Sequence, residues 1–282
     1  MRIGFVTCVQ LGLQCLESIA ERGGRFELVI TLPDDSARGK SGRIMVDDFC
    51  ARTGTPLLKV ANINEASAVE SIRARELDWL LIIGWSQIAR APVLASARLG
   101  TLGMHPTLLP KGRGRASIPW AILKGLAETG VTLFKLDEGV DSGPIAAQRR
   151  IPIDPDETAT TLYDKVSQTH AELLWEAWDG LMRGELPLVP QDHAEATYWP
   201  GRKPEDGRMS FGTSIDEAER LVRALTHPYP GAFIESEGGR VRIWRANSLR
   251  HPNSPEVLGF DAEASRIRLP DGDLILEDWQ IE

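Results

Sequence analysis

The sequence predicts an α/β protein: a doubly wound, mostly parallel sheet, followed by a smaller, partly open β-barrel. Three observations carry this reading. Short apolar runs alternate with amphipathic helical stretches through the first half of the chain, a spacing that implies crossover connections between parallel strands. One run, Trp79 to Gly84 (WLLIIG), is continuously apolar, as in a strand buried on both faces. After Gly201 the pattern changes to short strands separated by glycine and aspartate turns, the grammar of a small barrel.

In chain order, Arg2 to Thr7 forms the first strand, and Leu11 to Arg22 a helix with Leu13, Leu16, Ile19 and Ala20 on one face. Phe26 to Leu32 is the second strand. The polar stretch Pro33 to Arg43 is a loop before a helix near Met45 to Arg52. Leu57 to Val60 is a third strand, followed by a helix over Ala66 to Arg75, and Trp79 to Gly84 is the fourth strand. A strand end delivers His105 into a loop bracketed by Pro106 and Pro110, and a helix follows over about Ser117 to Gly125. The β-branched run Gly130 to Leu136 ends in the acidic loop Asp137 to Gly143. From Thr158 to Gly184 runs one long amphipathic helix, stopped by Gly184 and Pro187. Val189 to Gly207 is polar and without period, so it reads as a linker. The tail holds a helix near Ser214 to Leu225, the turn His227 to Gly231, and strands at Ala232 to Glu235, Arg240 to Ala246, Ile267 to Leu269 and Leu274 to Glu277. The expected domains are 1–188 and 208–282, joined by linker 189–207.

Composition narrows the function classes. The 282 residues carry a net charge of -8, and acids outnumber bases from Gly201 onward. An extended nucleic-acid footprint needs clustered Lys and Arg and is disfavoured; a small basic pocket is not. Cys8, Cys15 and Cys50 are odd in number and lack metal-site spacing, which suits small buried residues in a reduced, cytoplasmic protein. Asp or Glu interrupts every apolar stretch before membrane-spanning length, so neither secretion nor insertion is expected.

Doubly wound sheets bind ligands at the carboxyl ends of their strands. The loop Gly84 to Ala89 and the loop beginning at His105 follow such ends and suggest a shared crevice. The first βα turn, FVTCVQLG, lacks G-x-G-x-x-G, which weakens a nicotinamide or flavin reading. His105 and Asp141, each in a rigid loop, suit general acid/base work on an acyl group. Each has a structural alternative: a lone histidine more often packs, and Asp-x-Gly turns use the carboxylate to hold a loop. Together, on loops expected at the same sheet edge, they support one another. His170, His193, His227 and His251 have no matching acidic loop and read as surface or packing residues. Arg113 and Arg115 flank glycines ahead of a helix and stand between anion binding and solvated surface. Trp85 and Trp120 offer stacking faces, with core packing the better reading for Trp120.

These residues resemble the 10-formyltetrahydrofolate-dependent formyltransferase family. The matching pieces stand in the family's order and spacing: His105-Pro-Thr-Leu-Leu-Pro110, Arg113-Gly-Arg-Ala116, Trp120-Ala-Ile-Leu123, Glu128-Thr-Gly-Val-Thr132 and Asp137-Glu-Gly-Val-Asp-Ser-Gly143. Arg202 to Gly207 and Leu221 to Phe233 resemble the C-terminal domain of amino-sugar nucleotide formyltransferases and methionyl-tRNA formyltransferase, which implies an OB-like barrel. The resemblance implies that His105 and Asp141 catalyse attack by a neutral amine on the cofactor's formyl carbon, through a tetrahedral intermediate. It also implies a pterin pocket at Trp85, Ser86, Gln87, Ile88 and Val140, read largely by main-chain groups, with Thr107, Arg113 and Arg115 toward the substrate.

One departure stands out. The family's asparagine, an amide donor to the oxyanion, falls on Gly103, and losing such a donor typically costs about 100- to 1000-fold in rate. Either a water or backbone N–H fills the space at Gly103, or protonated His105 carries the stabilisation alone, or the protein binds its ligands with little turnover. The first is favoured, because His105, Asp141 and both flanking loops are intact. The expected acceptor is a nucleotide-linked amino sugar. Methionyl-tRNA is the alternative, disfavoured by charge although Arg38, Lys40 and Arg43 form a local basic strip, read here as solvated surface.

Overall fold

Every residue of β1 (Ile3–Val6), β2 (Leu28–Thr31) and β4 (Trp79–Ile82) is buried in the computed structural model, which describes residues 1–37, 43–251 and 257–282. Their apolar runs are therefore interior strands. With β3 (Leu57–Lys59), β5 (Gly100–His105), β7 (Glu128–Lys135) and β8 (Ile145–Pro152) they form a seven-stranded sheet in the order β3-β2-β1-β4-β5-β7-β8. β1 to β5 pair in parallel, and β7 runs antiparallel to β5 with His105 opposite Thr132. The short β6 (Arg113–Gly114) pairs elsewhere, with β9 (Tyr198–Trp199).

Helices cover both faces. Ala68, Val69 and Ile72 of α3 (Ala66–Arg73) join Val6, Ile30, Leu80 and Ile82 in one core. Elsewhere Phe5 meets Phe26 edge-on at 5.4 Å, and Phe26 meets Trp178 at 5.6 Å. That contact ties α6 (Ala159–Arg183) to the sheet. The other helices of this region are α1 (Gln10–Glu21), α2 (Asp47–Thr53) and α4 (Ala91–Leu94). α6 ends at Gly184, whose φ of +73 lies in the left-handed region and whose added Cβ would stand 2.8 Å from Met1 Cε.

The chain separates into two compact units that do not follow the expected boundaries. The first comprises Met1–Gly114, Thr129–Pro152 and Asp164–Tyr198. The second comprises Arg115–Glu128, Ile153–Tyr163 and Trp199–Glu282, so α5 (Ser117–Leu123) groups with the tail. The second unit has a six-stranded sheet of β10 (Arg208–Met209), β11 (Ala232–Ser236), β12 (Gly239–Arg250), β15 (Gly272–Ile281), β14 (Arg266–Leu269) and β13 (Gly259–Asp261), in that order. Register shifts between β12 and β15 at Ile243, Arg245 and Ala246 mark irregular pairing of the kind that bends strands. Among the described residues no pairing joins β10 to β13, as in a partly open barrel. Ile215, Ala218 and Val222 of α7 (Ile215–Leu225) pack on Val241, Ile243 and Leu274. The sequence Ser-x-x-Glu at 214–217 forms a reciprocal capping box at the start of α7.

Several features were not foreseen. β8 was missed because Gln148, Arg149 and Arg150 hide its alternation, and α4 and β13 are too short for a period. The stretch 189–207 is no free linker: Thr197 and Trp199 carbonyls accept from Arg113 and Arg115 N–H at 2.9 and 3.1 Å. Arg43 is not solvated surface; its guanidinium donates to the carbonyls of Cys8, Leu32 and Ile44. Arg38 and Lys40 lie outside the described residues. Cys8, Cys15 and Cys50 are buried without a disulfide, and no described helix is long and apolar enough to cross a membrane.

Candidate functional site

His105 closes β5 and is 7% exposed. Its Nε2 lies 2.8 Å from Gly112 O. A carbonyl only accepts, so Nε2 carries the hydrogen. Nδ1 then faces Asp141 Oδ2 at 3.6 Å, where a proton taken up by the ring sits beside a carboxylate.

Asp141 reaches this position by an indirect route. Because β7 is antiparallel to β5, with Leu102 opposite Lys135, the acidic loop leaves from the far end of β5 rather than from the His105 end, contrary to the shared-edge expectation. The loop brings its carboxylate back. Asp137 Oδ1 accepts from Gly139 N–H at 3.0 Å and from Ser142 Oγ at 2.7 Å, so Asp137 supplies the turn-holding carboxylate. Asp141 itself adopts φ +51, a left-handed conformation that short polar side chains tolerate, and its Oδ2 accepts from Gly114 N–H at 2.8 Å.

Gly103 stands two residues before His105 and so on the same face of β5. A Cβ placed there would lie 2.7 Å from Leu136 Cδ2 and 3.2 Å from Leu136 Cγ. The half-buried Leu136 packs against the core cluster that includes Ile82 and Leu80. The space expected to hold a water or an N–H therefore holds a leucine methyl group.

The remaining expected residues divide. Trp85 packs against the same core, and its Nε1 is buried without a hydrogen-bond partner. Ser86 is exposed. The Gln87 side chain is occupied structurally, accepting from Ile63 N–H at 2.9 Å and donating to Ala61 O at 2.7 Å. Ile88 and Val140 expose their side chains, at 79% and 52%, while Ile88 O accepts from Asn64 Nδ2. Thr107 is 2% exposed with its hydroxyl enclosed and unpartnered, so it offers no hydroxyl to a substrate in this conformation. Arg113 is likewise enclosed, at 1% exposure: Nε and Nη2 donate to Gln191 Oε1, Nη2 to His193 Nδ1, and Nη1 to Tyr198 OH. It is neither solvated surface nor an open anion ligand. Arg115 is exposed. Trp120 is half-buried, donates to Pro200 O at 2.8 Å and carries the Arg202 guanidinium over its ring.

Sequence reasoning missed Gln191, while His170, read as a surface or packing residue, is a packing one. Gln191 had no signal within a stretch read as linker. His170 is fully buried on α6, its Nδ1 bonded to Val166 O at 2.7 Å, and burial with the neighbouring His105 pushes its pKa down to about 4. A cavity of about 260 Å³ at the amino ends of β2 and β3, lined by Phe26, Phe49 and Pro56, involves none of these residues. Among the described residues no group of three His, Cys, Asp or Glu is placed to hold a metal ion.

Residues 11–178 match the formyl transferase family and 202–282 its C-terminal domain. The methionyl-tRNA formyltransferase of Geotalea uraniireducens is 32% identical over 286 residues, spanning 100% of this chain and 91% of that one. That of Lachnospira eligens is 33% identical over 250 residues, 88% of this chain and 79% of the other. Two solved structures share the fold. A variant of HypX from Aquifex aeolicus superposes with TM-score 0.73 at 22% identity, covering 100% of this chain and 46% of HypX. The sugar 3N-formyltransferase WlaRD superposes with TM-score 0.69 at 18% identity, covering 100% and 98%. With both halves matched and the histidine and aspartate brought together, the chain belongs to the formyl transferase family.

Proposed function

We propose that this chain transfers a formyl group from 10-formyltetrahydrofolate to the primary amine of a nucleotide-linked amino sugar, using His105 and Asp141. The observation that carries the reading is the 3.6 Å approach of His105 Nδ1 to Asp141, with Nε2–H tied to Gly112 O. Nδ1, beside the Asp141 carboxylate, is the ring atom that exchanges the proton in this reading. His105 takes up the proton shed by the attacking amine and returns it to the departing folate nitrogen, so the proton count balances. Asp141 stabilises the charged ring between these steps. With Leu136 against Gly103, His105 alone faces the charge that develops on the formyl oxygen.

The donor fits the residues present. Ile88 and Val140 leave large apolar side chains exposed that a flat heterocycle would cover, and the buried indole N–H of Trp85 lacks an acceptor. The donor supplies the formyl group; main-chain groups of Ser86, Gln87 and Val140 would hold its ring. On the acceptor side, the net charge of -8 and the structural use of Arg43 and Arg113 weigh against a polyanion, and the exposed Arg115 is available for a single phosphate.

A second reading, formylation of methionyl-tRNA, is favoured by the 32% identity to such an enzyme over the whole chain. Mass spectrometry of parallel reactions containing the folate donor with thymidine- or uridine-diphosphate amino sugars, or with methionyl-tRNA, separates them. A formyl mass gain on a sugar nucleotide supports the first reading; a gain confined to the tRNA replaces it with the second.

A further inference from the structure

Both catalytic loops are fastened to one short stretch that the sequence presents as a connection. Gln191 is 6% exposed, and its amide is fully used. Oε1 accepts from Arg113 Nε at 3.2 Å and Nη2 at 2.7 Å. Nε2 donates to Asp141 O at 2.9 Å and to Gly143 O at 2.7 Å. Two acceptor lone pairs and two N–H bonds are the whole capacity of a carboxamide, so the network admits one orientation only. Six residues on, Thr197 grips the other loop: its Oγ1 accepts from Gly112 N–H at 2.9 Å and its carbonyl from Arg113 N–H at 2.9 Å. Gly112 is the residue whose carbonyl receives His105 Nε2–H, and Gly114 N–H holds the Asp141 carboxylate.

Asp141 sits at φ +51, and such a conformation persists where the surroundings over-determine it. Gln191 does so from the carbonyl side, while Gly114 does so from the carboxylate side. Arg113 completes the clasp. Its acceptors on Gln191, Tyr198 and His193 are all neutral, so the buried cation gains no ion pair there and serves instead to saturate Gln191 Oε1 and fix the amide.

We propose that Gln191 is a positioning residue for formyl transfer, holding Asp141 against His105 through the Asp141 and Gly143 carbonyls, with Arg113 locking its amide. The inference rests on the assignment of His105 and Asp141 as the reacting pair. Among the groups that act on the His105 ring are Asp141 from the acidic loop and the buried His170 from α6; Arg113 follows the Gly112 acceptor directly in sequence.

The test is Gln191→Glu. The carboxylate keeps a partner for Arg113 but loses both N–H donors and sets an oxygen against two carbonyls. The primary readout is amide hydrogen exchange at Gly114, whose N–H donates to Asp141 Oδ2, and it needs no turnover. We expect that exchange to quicken at least 10-fold, and kcat to drop at least 10-fold with less than a threefold change in KM for the folate donor. In an Asp141→Asn background, Gln191→Glu should cost less than twofold further in kcat. An unmoved Gly114 exchange, or a full repeat of the loss in that background, overturns the proposal. Arg113→Lys, which retains the charge without the fork, should quicken the exchange by a smaller factor and serves if the glutamate variant does not fold. Absence of any formylated product from the unmodified protein would remove the functional reading while leaving the Gly114 exchange to judge the clasp.

Discussion

His105 and Gly103 lie two residues apart on one face of β5, and the structure furnishes them in opposite ways. His105 is bonded at Nε2 to Gly112 O and faced at Nδ1 by Asp141, whose own conformation is held by Gly114 and Gln191. At Gly103, where the family resemblance places an amide donor, an added Cβ would first meet the side chain of Leu136. Under the proposed formyl transfer, the proton-exchanging side is built from polar contacts and the Gly103 side from apolar ones. On that reading the difference teaches that the site depends on the His105–Asp141 pair where the resembling family has a second donor.

The strongest break in that comparison is His105→Ala. Positioned general acid/base groups contribute about 100- to 10,000-fold, and we expect a loss of about 1000-fold in kcat with the circular dichroism spectrum unchanged. Asp141→Asn keeps the Gly114 hydrogen bond but removes the charge beside Nδ1. A fall of about 100-fold in kcat is expected, read with KM for the folate donor within threefold. Arg115→Ala touches neither residue. If the exposed guanidinium meets an acceptor phosphate, KM for the sugar nucleotide should rise about 10-fold with kcat unchanged.

The smallest effect concerns stability. Burial pushes the His170 pKa from 6.5 down to about 4, so between those values the unfolded chain binds a proton that the folded chain refuses. Stability is therefore complete above pH 6.5 and falls as the pH drops through that window, by about 2 kcal/mol between pH 7 and pH 5. Urea unfolding of His170→Gln should show this acid-dependent part removed.

Local pattern made most of the first sheet legible. The runs at Ile3–Val6, Leu28–Thr31 and Trp79–Ile82 are buried on both faces and carry their own signal, and Ser214 with Glu217 announces α7. His105 and Asp141 were legible through the family motif, although the reason they meet was not: the antiparallel β7 sends the acidic loop away from His105, and Asp137, rather than Asp141, shapes its turn. What stayed hidden is non-local. Arg113 and Gln191 are 78 residues apart, Arg43 spends its charge on carbonyls from three segments, and Leu136 fills Gly103 across a strand pair. No spacing rule within a window detects such partners.

Restoring the missing donor tests the central claim most directly. Gly103→Asn alone meets Leu136, so the informative protein is Gly103→Asn combined with Leu136→Ala, compared with Leu136→Ala for kcat of formyl transfer. If His105 works alone where a second donor fits, the added amide should raise kcat about 10-fold, within the range such donors contribute, with KM little changed. An unchanged or lower kcat in a folded, folate-binding double variant would mean that the formyl oxygen does not approach Gly103, and the account of the site would have to be rebuilt.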